Sequence, residues 1–265
     1  MWTEFLIIAA VCALGCSMGF KHFIWFISIG YGFAVSCGSL AILILAAIHG
    51  RLNLLLVLQC AVLFVYGLRL GLFLYLRETK NAAYKKTLDS QTGNDKKMPI
   101  FVSLFMWIYS AFLYDGEMSP IFFRNWHGTY GDILPWIGVV ISAIGVIMEA
   151  LADKQKSAQK AKNPNMVATE GLYKLVRCPN YLGEILTWTG VFVGGLTALS
   201  GVWEWVIACV SYVTIVFIML NGAQRLEKRQ NGRYGDMQEY KDYAAKTPII
   251  IPFVPLYSLS FKKEK

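Results

Sequence analysis

The sequence predicts an all-α fold, a polytopic integral membrane bundle of about seven transmembrane helices, and three observations predict it. The chain is 56% hydrophobic with a mean hydropathy of +0.47, more apolar side chain than a soluble domain of 265 residues needs. The apolar residues come in long runs, at 5–20, 23–48, 53–76, 98–123, 133–151, 182–200 and 202–221. Each spans most or all of a hydrocarbon core of roughly 30 Å, which takes about 20 helical residues to cross. Third, the basic residues are segregated between alternate connections. Backbone inside lipid must satisfy its own hydrogen bonds, so the runs are helices, and the alternating pattern of barrel strands is absent.

Taken in order, run 5–20 is the weakest, but with Glu4 beside it and no basic leader it reads as a span and not as a signal peptide. Runs 23–48 and 53–76 follow. The low-hydropathy stretch 78–97, with Ser90-Gln91-Thr92-Gly93-Asn94-Asp95, reads as a flexible linker. Run 98–123 is the fourth span and 133–151 the fifth. The stretch 152–180 leads to the sixth, and the stretch 222–248 follows the seventh. Both stretches are rich in charge and aromatic residues. With seven spans, 22 of the 25 Lys and Arg residues lie on one side, at position 21, in 77–97, in 152–181 and after 222. The other side has Arg51 and Arg124, and Arg69 lies inside a span. That asymmetry puts the N-terminus outside and the C-terminus in the cytoplasm. The net charge of +8 is then topology, not a nucleic-acid footprint. One domain, 1–265, is expected.

Five of the six cysteines lie in spans, none forms a CxxC pair, and the three histidines are scattered. The pattern points away from zinc and from a disulfide framework. Gly67-xxx-Gly71 and Gly190-xxx-Gly194 allow close helix contact.

Polar residues inside a membrane are costly and mark candidate sites. On the third run Tyr66 and Arg69 are three apart and share a face, and Arg69 sits roughly 12 Å in from Arg77. They suit a proton donor beside an anion contact, or a structural ion pair. After the fifth run Glu149, Asp153, Lys156 and Lys160 form one helical stripe leaving the membrane. It suits a nucleotide, with carboxylates on ribose or amide and lysines on phosphates, or it is a solvated helix end. The most specific cluster is Gly171-Leu-Tyr-Lys-Leu-Val-Arg177-Cys-Pro179-Asn180-Tyr181-Leu-Gly-Glu184-Ile-Leu-Thr-Trp188. Pro179 suits a first helical turn, and Asn180, Glu184 and Trp188 then share a face. An unpaired helix start beside Arg177 attracts anions, and Asn with Glu offers donor and acceptor edges for a carboxamide or ribose. After the seventh run Arg225, Glu227, Tyr240 and Tyr243 lie on an amphipathic cytoplasmic segment.

The run Arg177-Cys178-Pro179-Asn180-Tyr181-Leu182-Gly183-Glu184 resembles the signature of the steroid 5α-reductase C-terminal domain, closest to the small, mostly bacterial membrane proteins that carry it. Cys178 stands where their usual form has His. The resemblance covers about residues 60–257. It implies a seven-helix bundle holding NADPH in a cytoplasm-facing cavity and reducing a double bond conjugated to a ketone in a steroid-like or other lipid substrate. Asn180, Glu184 and Asp153 match cofactor-binding residues of that family, Glu149 stands where steroid reductases have Asn, and Lys160 where they place Arg. Tyr66 and Arg69 match a Tyr-xx-Arg pair in which the tyrosine polarises the substrate carbonyl and the arginine contacts cofactor. Arg177, Tyr181, Arg225, Glu227, Tyr240 and Tyr243 complete the expected cofactor set. Steroid 5α-reductases pair the tyrosine with a glutamate on an earlier helix. Here the early spans hold no acidic residue but Glu4, and Gln59 is the nearest polar substitute.

Two other readings stand beside this one. The membrane methyltransferases that use S-adenosylmethionine look similar, with Arg-His-Pro-x-Tyr and a distal Glu-Glu, whereas this chain has Glu227 before Lys228. The third reading is a non-enzymatic lipid-binding membrane protein. The expected location is a bacterial inner membrane or the endoplasmic reticulum.

Overall fold

Apolar runs that cannot hydrogen-bond to lipid have one regular solution each, and the computed structural model, which describes residues 1–80 and 98–259, is helical throughout with no strand among those residues. The order is α1 (Trp2–Cys16), two short 3₁₀ turns (Ser17–Phe20 and Phe23–Ile27), α2 (Ile29–Ile48), α3 (Leu54–Lys80), α4 (Ile100–His127), α5 (Leu134–Lys162), a 3₁₀ turn (Gly171–Lys174), α6 (Pro179–Gly195), α7 (Val202–Tyr234) and α8 (Gln238–Lys246). Most of the linker expected at 78–97 lies outside the described residues.

Among the described residues, five stretches are long and apolar enough to cross a membrane: Trp2–Phe20, α2, α3, α5 and α7. The chain is a multi-pass integral membrane protein. Helices α4 and α6 fall outside that set of five: α6 has 17 residues, and Asp115, Glu117 and Arg124 interrupt the apolar run of α4.

Two compact units divide the chain. The first comprises Met1–Val139 and Val191–Ser211. In it α2 packs between α1 and α3 and against α4. The Gly67-xxx-Gly71 pair of α3 makes the close contact its spacing allows: a Cβ on Gly32 of α2 would lie 2.6 Å from both Gly67 O and Gly71 N. Helix α4 ends on Gly128, whose φ of 64° lets its N–H turn back to the carbonyls of Arg124 and Asn125. Arg124, 1% exposed, is a clamp. Its Nε donates to Gly194 O at 2.6 Å, Nη1 donates to Asp132 Oδ2 at 2.9 Å, and Thr129 O and Thr197 Oγ1 accept the rest. At another point of the unit, Trp25 Nε1 donates to both oxygens of the buried Glu78 at 2.9 Å.

The second unit comprises Val140–Gly190 and Tyr212–Lys265. Its small cores join Cys178, Ala223, Leu226, Ile249 and Ile250, and separately Met166, Val167, Tyr234 and Tyr240.

Candidate functional site

The second unit builds its polar site on a seam of small residues between α5 and α6. A Cβ on Gly145 would lie 2.5 Å from Gly183 O and 2.5 Å from Thr187 N. A Cβ on Gly183 would lie 2.7 Å from Gly145 O and 2.8 Å from Glu149 N. Ser142 Oγ donates to Thr187 O at 2.8 Å along the same line. The glycines thus press Glu149, 3% exposed, against α6 beside Glu184. Pro179 starts α6, where its missing N–H costs no helical bond. From there Asn180, Glu184 and Trp188 recur every four residues, with Glu184 and Trp188 buried. Asn180 Oδ1 is buried without a hydrogen-bond partner among the described residues. Asp153 lies one turn beyond Glu149 and is half-buried. Both seam contacts are with backbone, so Gly183→Ala should lower stability by about 1–3 kcal/mol. Thermal unfolding in detergent checks this, with Gly232→Ala, which meets nothing within 4 Å, as the control.

Arg177 does more than flank a helix start. Its Nη2 donates to Glu227 Oε1 at 3.1 Å and to Tyr257 O, and both charged side chains are nearly fully buried. Glu227 Oε2 accepts the Leu259 N–H at 3.0 Å. The backbone N–H groups of Arg177 and Cys178 donate to Pro248 O and Ile249 O, each at 2.9 Å. Residues 248–259 therefore strap the start of α6 to α7. Burial pushes the Cys178 thiol up to about 12, against the pull of Arg177 and Lys156. Arg225 and Arg229, both exposed, lie within electrostatic reach of Tyr181. Positive charge therefore still surrounds the start of α6.

Lys160 Nζ donates to Tyr234 OH at 2.7 Å and to the carbonyls of Pro164 and Met166, fixing the turn after α5. Tyr240 OH donates to Asn231 Oδ1 at 2.6 Å and Tyr243 OH to Tyr173 O at 2.7 Å. Burial raises the Tyr243 phenol above its ordinary value, opposed by the neighbouring Arg177. The structure thus gathers Arg177, Glu227, Tyr240 and Tyr243 into one cluster.

Tyr66 and Arg69 belong to the first unit. Tyr66 is fully buried and its hydroxyl donates to Tyr31 OH of α2 at 2.9 Å. The Tyr31 ring packs on that of Tyr114 at 4.8 Å, and Tyr114 OH donates to Phe26 O at 2.8 Å. Arg69, one turn on, is half-buried. Gln59 is buried against Gly194, its Nε2 3.1 Å from where a Cβ would stand, and it sits two turns of α3, roughly 10 Å, from Tyr66. On an earlier helix, Tyr31 is a polar neighbour of Tyr66.

Tyr31, Tyr114, Asp115 and Glu117 are residues that sequence reasoning misses. Asp115 is 1% exposed and Glu117 4%. The signal for the two acids was present, since two carboxylates inside an apolar run are marked by the same rule that marks Arg69. Tyr31 carries no such signal, because a tyrosine in an apolar run reads as packing.

Residues 18–247 match a family described as "Protein of unknown function (DUF1295)". A protein named Steroid 5-alpha-reductase DET2, of Gossypium hirsutum, is 23% identical over 190 residues, which cover 69% of this chain and 67% of that protein. No solved structure matches the chain. The resemblance to the steroid 5α-reductase superfamily is borne out, and this distant homology supports a membrane oxidoreductase.

Proposed function

The chain belongs to the DUF1295 family, and on that premise we propose that it is an NADPH-dependent reductase of a carbon–carbon double bond conjugated to a ketone in a steroid-like or other lipid substrate. The observation that supports this most directly is the glycine seam that sets Glu149 against the α6 face bearing Asn180 and Glu184. The donor set suits a dinucleotide. Glu149, Glu184, Asp153 and Asn180 offer acceptors for ribose hydroxyls and for the N–H groups of a carboxamide. The buried Asn180 Oδ1 is an acceptor that such an N–H would satisfy. Lys156, Arg225 and Arg229 offer charge to phosphates. Arg177, Glu227, Tyr181, Tyr240, Tyr243 and Lys160 hold the frame around the start of α6, and Arg69 is a further cofactor contact.

When bound, NADPH would supply hydride for the β-carbon of the enone. Tyr66 gives its hydroxyl proton to the carbonyl oxygen as negative charge gathers there, and the resulting enol returns to the saturated ketone. A proton from solvent returns to Tyr66 between turnovers, when the site opens to release product. Burial of Tyr66 keeps its oxygen away from bulk water, where a charge-stabilising hydrogen bond acts more strongly.

Seven crossings, with the N-terminus outside and the C-terminus cytoplasmic, are part of the proposal. Labelling of cysteines placed at Asn53 and Glu239 from opposite sides of the membrane tests it.

Thermal-shift titration of detergent-purified protein with NADPH, NADH and S-adenosylmethionine tests the function. A ligand that binds only the folded state raises the melting temperature. A shift with NADPH is expected, and Asn180→Ala should weaken it by about tenfold or more in affinity. A shift with S-adenosylmethionine alone overturns the reductase reading in favour of a methyltransferase. No shift with any of the three in a folded sample favours a non-enzymatic lipid-binding protein.

A further inference from the structure

The segment that straps α6 to α7 carries an apolar turn at its far end. Phe253 is 94% exposed, with Ile251 47% and Val254 44% exposed beside it. The turn is stiff: Pro252 and Pro255 flank Phe253 and Val254, Ile249 N–H donates to Leu256 O at 2.8 Å, and Leu256 N–H donates to Val254 O at 2.7 Å. Its base is sealed by Ile249 and Ile250, each 1% exposed. Phe253 also holds φ at 63°, a left-handed conformation that glycine adopts most easily. Neither packing nor the turn calls for a phenyl ring there, and a side chain kept at a strained position points to a use for it.

The depth of the turn says what that use is. The strap hangs on Arg177, Cys178, Gln224 and Glu227. The apolar runs of α6 and α7 begin at 182 and end at 221. Gln224 and Glu227 therefore lie within about 9 Å, along α7, of the end of its apolar run, and Arg177 and Cys178 directly precede α6. That is the height of the headgroup layer, where aromatic rings are favoured. Charge agrees: Lys241 and Lys246 are exposed on the preceding helix, and Lys262, Lys263 and Lys265 follow in the sequence.

We propose that residues 251–254 form a wedge inserted at the headgroup–acyl boundary of an anionic leaflet of the protein's own membrane, on its basic side. Apolar side chains supply the insertion and the flanking lysines the preference for anionic lipid. Because the same segment holds the backbone N–H groups of Arg177 and Cys178, the wedge also tethers the start of α6 to the bilayer.

The experiment uses the full chain with Cys37→Ser, Cys209→Ser and Phe253→Cys, bimane-labelled, in nanodiscs whose phosphatidylglycerol carries brominated acyl chains. Glu239→Cys, labelled alike, is the water-facing control. Phe253 is so exposed that its replacement leaves the core intact. Strong loss of bimane fluorescence at 253, none at 239, and weaker loss in brominated phosphatidylcholine is the expected result. No loss at 253 in either lipid overturns the proposal. Equal loss in both lipids overturns the assignment of an anionic leaflet. An unquenched label at 253, together with a disulfide between copies when the unlabelled Phe253→Cys protein is oxidised, overturns it in favour of a self-interface. As a second measurement, Phe253→Gly should fold at least as stably in detergent, yet speed hydrogen exchange at the Arg177 and Cys178 amides in anionic nanodiscs. Unchanged exchange there would overturn the tether.

Discussion

Arg177→Ala should cost about 3–5 kcal/mol of stability, the usual loss when one member of a buried ion pair is removed. Glu227 would keep its charge at 3% exposure without the guanidinium that neutralises it, while the neutral Leu259 N–H still donates to it. Tyr257 O would also lose its donor, and with it one hold on the strap. The measurement is thermal unfolding in detergent, read beside the double variant Arg177→Met, Glu227→Met. The double variant removes both charges from an apolar surround and should recover most of the loss. If the single and double variants fall equally, the pair is not what stabilises this end of the molecule.

Tyr66→Phe should lower turnover by roughly 10²–10⁴, the range for removing a positioned proton donor. The change deletes one hydroxyl from a fully buried ring, so packing is kept and NADPH affinity should hold. Tyr31→Phe should have a smaller effect, about tenfold, through loss of the hydrogen bond between the two hydroxyls. Tyr114→Phe removes the bond to Phe26 O and should change melting temperature more than turnover. Loss of NADPH absorbance with a 3-oxo-4-ene steroid as probe provides the assay. Full activity in Tyr66→Phe would remove Tyr66 from the chemistry.

What was legible in the sequence follows from range. Apolar runs show the helices because lipid leaves each run to satisfy its backbone alone. The stripe of Asn180, Glu184 and Trp188 was legible because helical periodicity fixes it within two turns of one proline. Glu149 and Asp153 could be put on one stripe for the same reason. What pressed Glu149 against α6 was hidden, since Gly145 and Gly183 come from separate helices and look like ordinary glycines in apolar runs. Partners far apart were equally hidden: Tyr31 lies 35 residues before Tyr66, and Glu227 lies 50 after Arg177. Gln59 was visible as a polar residue because it shares a helix with Tyr66, whereas Tyr31 reaches Tyr66 from another helix. Asp115 and Glu117 were legible by rule and lost inside a run read as uniformly apolar.

The spacing of the Arg177 contacts also sets a clock during biosynthesis. Its carboxylate partner is made 50 residues later and its carbonyl partner 80 residues later. At roughly 5–20 residues per second, the guanidinium waits several seconds for each after emerging from the ribosome. Through that interval a charge destined for burial must stay in water or among lipid headgroups. The α5–α6 seam, complete much earlier in the chain, can close first and hold the sixth helix in place while the seventh is still being made.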